Sequence, residues 1–357
     1  MIEIQNKFYP KLDSLRAIAV LLVIVSHWFS DEHFLNRYTS NGTIGVTLFF
    51  VLSGFLITGI LLNYKTNLST DIKGIGKALK VFYWRRSLRI FPIYYLLLFC
   101  LLIIHLAPFK GAFWWHFFYA SNVYFWLQGS FQGSFSHFWS LAVEEQFYLI
   151  WPILILVISV RKLMGLFLIG ILAAVLYRLL FISESNEMAR FLLPGSIDSF
   201  AIGAIFAMIK KGMLKISYKL NEVKAQWLLG FVFFILSQTC MNLPLPKNWN
   251  LSFYLSLLSL SFGWMILACC NVNESNSKSF FLENRILMYL GKISYGLYLY
   301  HNFIPYFYDF KVPGLPAFAS LYIAQFMRFG MLISIASISW FFIEKPLLRF
   351  KNKISFS

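Results

Sequence analysis

Apolar runs long enough to cross a membrane recur along this chain with only short polar interruptions, and that recurrence excludes a water-soluble fold. Windowed hydropathy predicts ten spans, at 12–30, 43–62, 88–107, 138–160, 163–182, 195–209, 225–241, 250–270, 293–310 and 318–343. A helix needs about 20 apolar residues to cross the hydrocarbon core, so ten spans use about 200 residues and leave short loops. Composition agrees, with 59% of the residues hydrophobic and 13% charged. A soluble domain carries about twice that charge. The expected fold is all-α, a polytopic transmembrane helix bundle. Residues 1–350 are expected to form one transmembrane domain and 351–357 a short basic cytoplasmic tail, with no appended soluble domain expected.

The formal net charge of +16 would suggest nucleic acid in a soluble protein, but here the cations punctuate apolar runs instead of clustering on an exposed face. With the N-terminus inside, the inner segments hold 23 Lys and Arg and the outer loops five, Arg37, Lys110, Arg190, Lys247 and Lys311. That bias places both ends in the cytoplasm. The first apolar run contains Arg16 and His27 and lacks a small-x-small cleavage signature, so it reads as a retained helix and not a signal peptide. Cys100, Cys240, Cys269 and Cys270 have no metal-ligand spacing, and no metal site is expected.

Ionisable groups inside a span are costly unless they face a polar interior, so each is a functional candidate. They are Arg16 and His27 in the first span, Glu144 and Glu145 in the fourth, Arg178, Asp198, His301 and Arg328. Arg16 and His27 are 11 residues apart. On a helix this returns to within about 20° of the same direction, about 16 Å along the axis. They share one face at two depths and can line one channel, although Arg16 can instead pair with Asp13 and His27 can be a satisfied interior histidine. Ser140, Glu144 and Tyr148 share a face of the fourth span. Glu144 falls at a depth similar to His27 on an opposite-running helix, where a carboxylate would orient an imidazole acting as a general base. Trp84-Arg85-Arg86-Ser87-Leu88-Arg89 is either topological punctuation or a set of guanidiniums for phosphate.

These residues match a known pattern. Arg16 to His27 within Leu12-Asp-Ser-Leu-Arg-Ala-Ile-Ala-Val resembles the first-helix signature of the acyltransferase-3 family of bacterial integral-membrane acyltransferases. Gly45-Val-Thr-Leu-Phe-Phe-Val-Leu-Ser-Gly-Phe is similar to that family's second-span stretch, with Thr47 where the family usually has Asp. Arg86 and Arg89 fall on its Arg-x-x-Arg motif, and Trp139-Ser-Leu-Ala-Val-Glu-Glu-Gln-Phe-Tyr148 on its fourth-span pattern, with Phe138 replacing a small polar residue. Weaker likenesses follow at Asp198 before Gly203, at Ile293 to His301 and at Ile343-Glu-Lys-Pro346.

The resemblance implies a multi-pass protein of the bacterial inner membrane that moves an acyl group, most often acetyl, from cytoplasmic acyl-CoA to a hydroxyl of a surface or exported glycan. Acetyl-CoA or another acyl-CoA is then the co-substrate. Arg86 and Arg89, with Arg85 nearby, are expected to hold the nucleotide phosphates while the pantetheine arm threads past Arg16. His27 is expected to be the general base, oriented by Glu144, with Trp139, Ser140, Tyr148, Asp198 and His301 shaping the site. The rival reading is a transporter or flippase for a lipid-linked sugar, which intramembrane Arg, His and Glu would equally suit.

Overall fold

A computed structural model describes residues 9–37, 39–67, 72–104, 107–271, 281–307 and 317–352. The predicted tail from 353 onward, the predicted ninth span beyond 307, Lys278 and Lys311 lie outside them. Every regular element among the described residues is helical. The principal helices are α1 (Pro10–Trp28), α2 (Asn41–Asn67), α3 (Ile72–Ile103), α4 (Phe138–Val157), α5 (Val160–Phe181), α6 (Ile197–Lys210), α7 (Val223–Cys240), α8 (Lys247–Asn271), α9 (Arg285–Lys292), α10 (Ser294–Tyr300) and α11 (Ala317–Ser339).

Seven of the ten predicted spans correspond to helices long and apolar enough to cross a membrane, those of α2, α3, α4, α5, α7, α8 and α11. The other three differ for local reasons. The first turns of α1 carry Lys11, Asp13 and Arg16. With 14 residues, α6 is shorter than a span. The predicted run at 293–310 is broken inside, because α10 ends at Tyr300 and a separate short helix follows at Ile304–Phe307. The third span departs the other way. Its helix already begins at Ile72, so Arg85 and Arg86, which precede the predicted span, lie within α3 together with Arg89.

The core forms around α2, which packs against α1, α4, α6 and α8 and is the most buried of the seven, at 72% of its apolar window. Lipid is as apolar as a leucine side chain, so such helices gain from close backbone approach, which small residues permit. Gly54 of α2 and Gly203 of α6 meet in this way: a Cβ on Gly54 would overlap the Phe200 carbonyl, and one on Gly203 the Val51 carbonyl. Gly203→Val should therefore strongly reduce the protein recovered from membranes, measured by fluorescence-detected size exclusion. Gly165→Val, where an added Cβ meets nothing within 4 Å, is the matched control and should leave recovery unchanged. Equal yields from both variants would contradict the packing argument.

Lys65 near the end of α2 caps α4. Its Nζ donates to the carbonyls of Ile155, Leu156 and Ile158 at 2.9, 2.7 and 2.7 Å. These are terminal carbonyls without helical partners, where a cation also complements the helix dipole. This fixes α4 lengthwise against α2 and so sets the depth of every polar group on α4.

Candidate functional site

Two cavities lie one above the other inside the bundle, and a shared partition of Val46, Phe50 and Tyr298 separates them.

The first, of about 180 Å³, holds the arginines. Arg86 and Arg89 stand one turn apart on α3 and both line it, together with Arg16 from α1. Arg85 turns away to donate to the Tyr64 hydroxyl at 3.3 Å, so the structure does not bring it into this group. Arg16 donates to Asp13 at 2.6 Å, the helix-end pairing that was one of its two readings, yet it also faces the cavity. The Arg86 guanidinium lies 3.7 Å from the centre of the Tyr148 ring, and its Nε is buried without a hydrogen-bond partner. A π-helical turn at Trp340–Glu344 buries Glu344, which accepts a hydrogen bond from Ser339 at 3.5 Å.

Glu144 lies in this arginine cavity, and the expected pairing with His27 is absent. Its carboxylate accepts from Ser53 Oγ at 2.9 Å, and Ser53 Oγ lies 3.0 Å from the Tyr148 hydroxyl. Glu145 lines the same cavity, as does Ser140. Ser140 donates to the His137 carbonyl at 3.1 Å and is hydrogen-bonded to the Tyr298 hydroxyl. The reason is depth: in the capped position of α4, Glu144 lies below the partition and His27 above it.

The second cavity, of about 200 Å³, receives His27, with Trp139, Thr47 and the start of α6 in its wall. The His27 ring is exposed to it. Nδ1 lies 2.9 Å from the Val23 carbonyl, an acceptor, so Nδ1 carries the proton and Nε2 the lone pair. Among the described residues Nε2 has no protein partner. His301 supports the ring from behind, with its Nε2 3.4 Å from His27 Nδ1 and its own Nδ1 donating to the Tyr298 carbonyl at 2.6 Å. His137 continues the row, its ring centre 4.9 Å from that of His301.

Asp198 does not face either cavity. It is fully buried in a bidentate pair with Arg178, at 3.0 and 2.7 Å, and also accepts from Ser256. Its neighbours Ser196 and Ser199 are the ones that line the His27 cavity. Sequence reading missed Ser53, Tyr298, His137 and Arg190. Tyr298 was open to discovery, since it stands one turn before His301; Ser53 and Arg190 carried no comparable signal. No group of three or more metal-ligating side chains occurs among the described residues.

Comparison with known proteins gives a consistent result. A protein of Staphylococcus aureus strain COL, provisionally named an O-acetyltransferase, is 31% identical over 373 residues, covering 95% of this chain and 57% of its own length. The O-acetyltransferase OatA of Staphylococcus aureus strain NCTC 8325 is 29% identical over 380 residues, covering 96% and 57% respectively. The chain thus spans little more than half the length of these curated relatives. No solved structure matches. The family of acyltransferase domains matches residues 9–348, nearly the whole chain, and with His27, the Arg86–Arg89 pair and the α4 pattern lining two adjoining cavities, the chain belongs to the acyltransferase-3 family.

Proposed function

We propose that this protein is a membrane O-acyltransferase that moves an acyl group, most simply acetyl, from acyl-CoA to a hydroxyl of a cell-surface or exported glycan. The observation that carries the reading is His27. A carbonyl holds its Nδ1 protonated, so Nε2 is free as a base on a cavity that adjoins an arginine-lined one across a partition of Val46, Phe50 and Tyr298.

The arginine cavity suits a polyanionic donor. Arg86 and Arg89 have no carboxylate ion pair among the described residues, and the buried Arg86 Nε lacks an acceptor that a phosphate oxygen would supply. In this reading that end faces the cytoplasm, as do both termini, and α1 with the shorter α6 and α10 completes a ten-span bundle in the bacterial inner membrane. The acceptor enters the His27 cavity. Nε2 removes the hydroxyl proton as the oxygen bonds to the thioester carbonyl carbon; the carbon–sulfur bond then breaks, and the proton passes from His27 to the departing thiolate. General base catalysis of this kind requires only that the imidazole be neutral and within hydrogen-bond reach.

The test compares base-labile acyl groups on the host's purified surface glycans, by NMR and mass spectrometry, in wild type, deletion and His27→Ala strains. One acyl substituent should vanish in the deletion and return only with the wild-type gene. Unchanged acylation with reduced glycan export would favour transport. Arg86→Ala should raise the apparent KM for acyl-CoA about 10- to 100-fold, the value of a charge-assisted contact. It should also flatten the salt dependence of KM, and an unchanged KM would return the cluster to topological punctuation.

A further inference from the structure

Arg190 lies in the segment between α5 and α6 and lines the His27 cavity, although no Asp or Glu does so. Its guanidinium sits 4.5 Å from the centre of the Phe191 ring, and its buried Nε has no hydrogen-bond partner. The nearest carboxylate is Glu187, at 3.6 Å, which is shared with Lys247 at 3.2 Å. One carboxylate thus serves two cations, leaving an excess positive charge at the cavity. Burial pulls the Arg190 guanidinium below its ordinary pKa, and Glu187 offsets this only in part. The Arg190 side chain keeps 30% of its surface exposed, so an anion entering the cavity can meet the guanidinium directly and complement the excess charge.

The surrounding wall favours the same kind of ligand. Gly42 and Thr43 belong to the first turn of α2, whose amides have no helical acceptor, and Ser196, at the N-cap position of α6, adds a hydroxyl to the wall. Opposite them Phe131, Trp139 and Phe191 form one aromatic surface, with ring centres 4.7 Å apart in both contacts. An apolar face beside a few fixed polar groups is what orients a small ring-shaped ligand.

We propose that the acceptor sugar carries an anionic group, a carboxylate or a phosphate, and that Arg190 receives it, placing the neighbouring hydroxyl at His27 Nε2. This rests on the acyltransferase reading and specifies its acceptor. Arg190 is a specificity-determining residue here, and neither proton transfer nor donor binding depends on it.

The experiment maps the gene-dependent acyl group on purified surface glycans by NMR and mass spectrometry, in strains carrying wild type, Arg190→Gln or Arg190→Lys. The acyl group should sit on a residue that bears a carboxylate or phosphate, or on its direct neighbour. Acylation should fall about tenfold or more in Arg190→Gln and be partly kept in Arg190→Lys, as expected on losing or weakening a charge-assisted contact. Coenzyme A binding to the purified Arg190→Gln protein in detergent should be unchanged; its loss would make Arg190 a structural residue and overturn the proposal. An acyl group on a glycan without any anionic group would also overturn it, as would normal acylation by Arg190→Gln. If wild type retains a phospholipid that Arg190→Gln loses while acylation is unaffected, the arginine serves a lipid headgroup instead. Absence of any gene-dependent acyl group would overturn the acyltransferase reading itself, an outcome distinct from all of these.

Discussion

His27→Ala is expected to lower acyl transfer about 10²- to 10⁴-fold, the usual contribution of a positioned general base. Binding of acyl-CoA should survive, because the two cavities share only Val46, Phe50 and Tyr298, and the arginines lie on the far side of that partition. The measurement is release of free thiol from acetyl-CoA by the purified protein in proteoliposomes, alongside equilibrium binding of coenzyme A. Loss of turnover with retained binding is the expected pattern. Loss of binding with turnover merely proportional to occupancy would remove His27 from the chemistry. The ring's fixed tautomer makes the expectation sharper. Val23 O holds the Nδ1 proton and His301 stands 3.4 Å behind, so an amide in place of the ring cannot present a comparable lone pair at Nε2. His27→Gln should therefore be as inactive as His27→Ala.

Within single helices the sequence was a reliable guide, because helix geometry is local. The spacing of Arg16 and His27 predicts one face at two depths, and the structure places one in each cavity. The i,i+3 spacing of Arg86 and Arg89 puts both on one side of α3, while Arg85 faces Tyr64. Relations between helices were a different matter. Glu144 was expected beside His27 from counting residues below a span boundary, yet an error of two or three residues in that boundary moves a side chain by about 3–5 Å. The cap by Lys65 on the end of α4, invisible to hydropathy, settles the register and leaves Glu144 with Ser53. His301 stands in the predicted span at 293–310; its approach to His27 on α1 is a relation between two segments, which the pattern along either one does not report. The resemblance places Asp198 among the site-shaping residues, whereas its environment is set by Arg178 on another helix, a pairing that no pattern within α6 reveals.

That pair should contribute strongly to the stability of the bundle. Arg178 and Asp198 are both fully buried, and the guanidinium also donates to the Gly195 carbonyl at 2.9 Å and to Ser256 Oγ at 2.8 Å, so α5, α6 and α8 converge on one polar knot. Taking out one member strands the other charge in an apolar interior, at a cost of about 3–5 kcal/mol. Arg178→Met should accordingly lower the thermal unfolding midpoint in detergent more than any other single change considered above except the glycine substitution. The activity of the double variant separates two accounts. If the pair mainly avoids a stranded charge, Arg178→Met combined with Asp198→Leu should recover much of the loss, because a buried pair replaced by apolar side chains is often neutral or better. If instead the knot is needed to hold the entry to α6, the double variant should be stable but slow, since Arg178 anchors Gly195 and the adjoining Ser196 and Ser199 line the His27 cavity. Midpoints of the two single variants equal to wild type would discard both accounts. A stable double variant with a raised KM for the glycan acceptor and an unchanged KM for acyl-CoA would show that the ion pair reaches the chemistry only through the wall it supports.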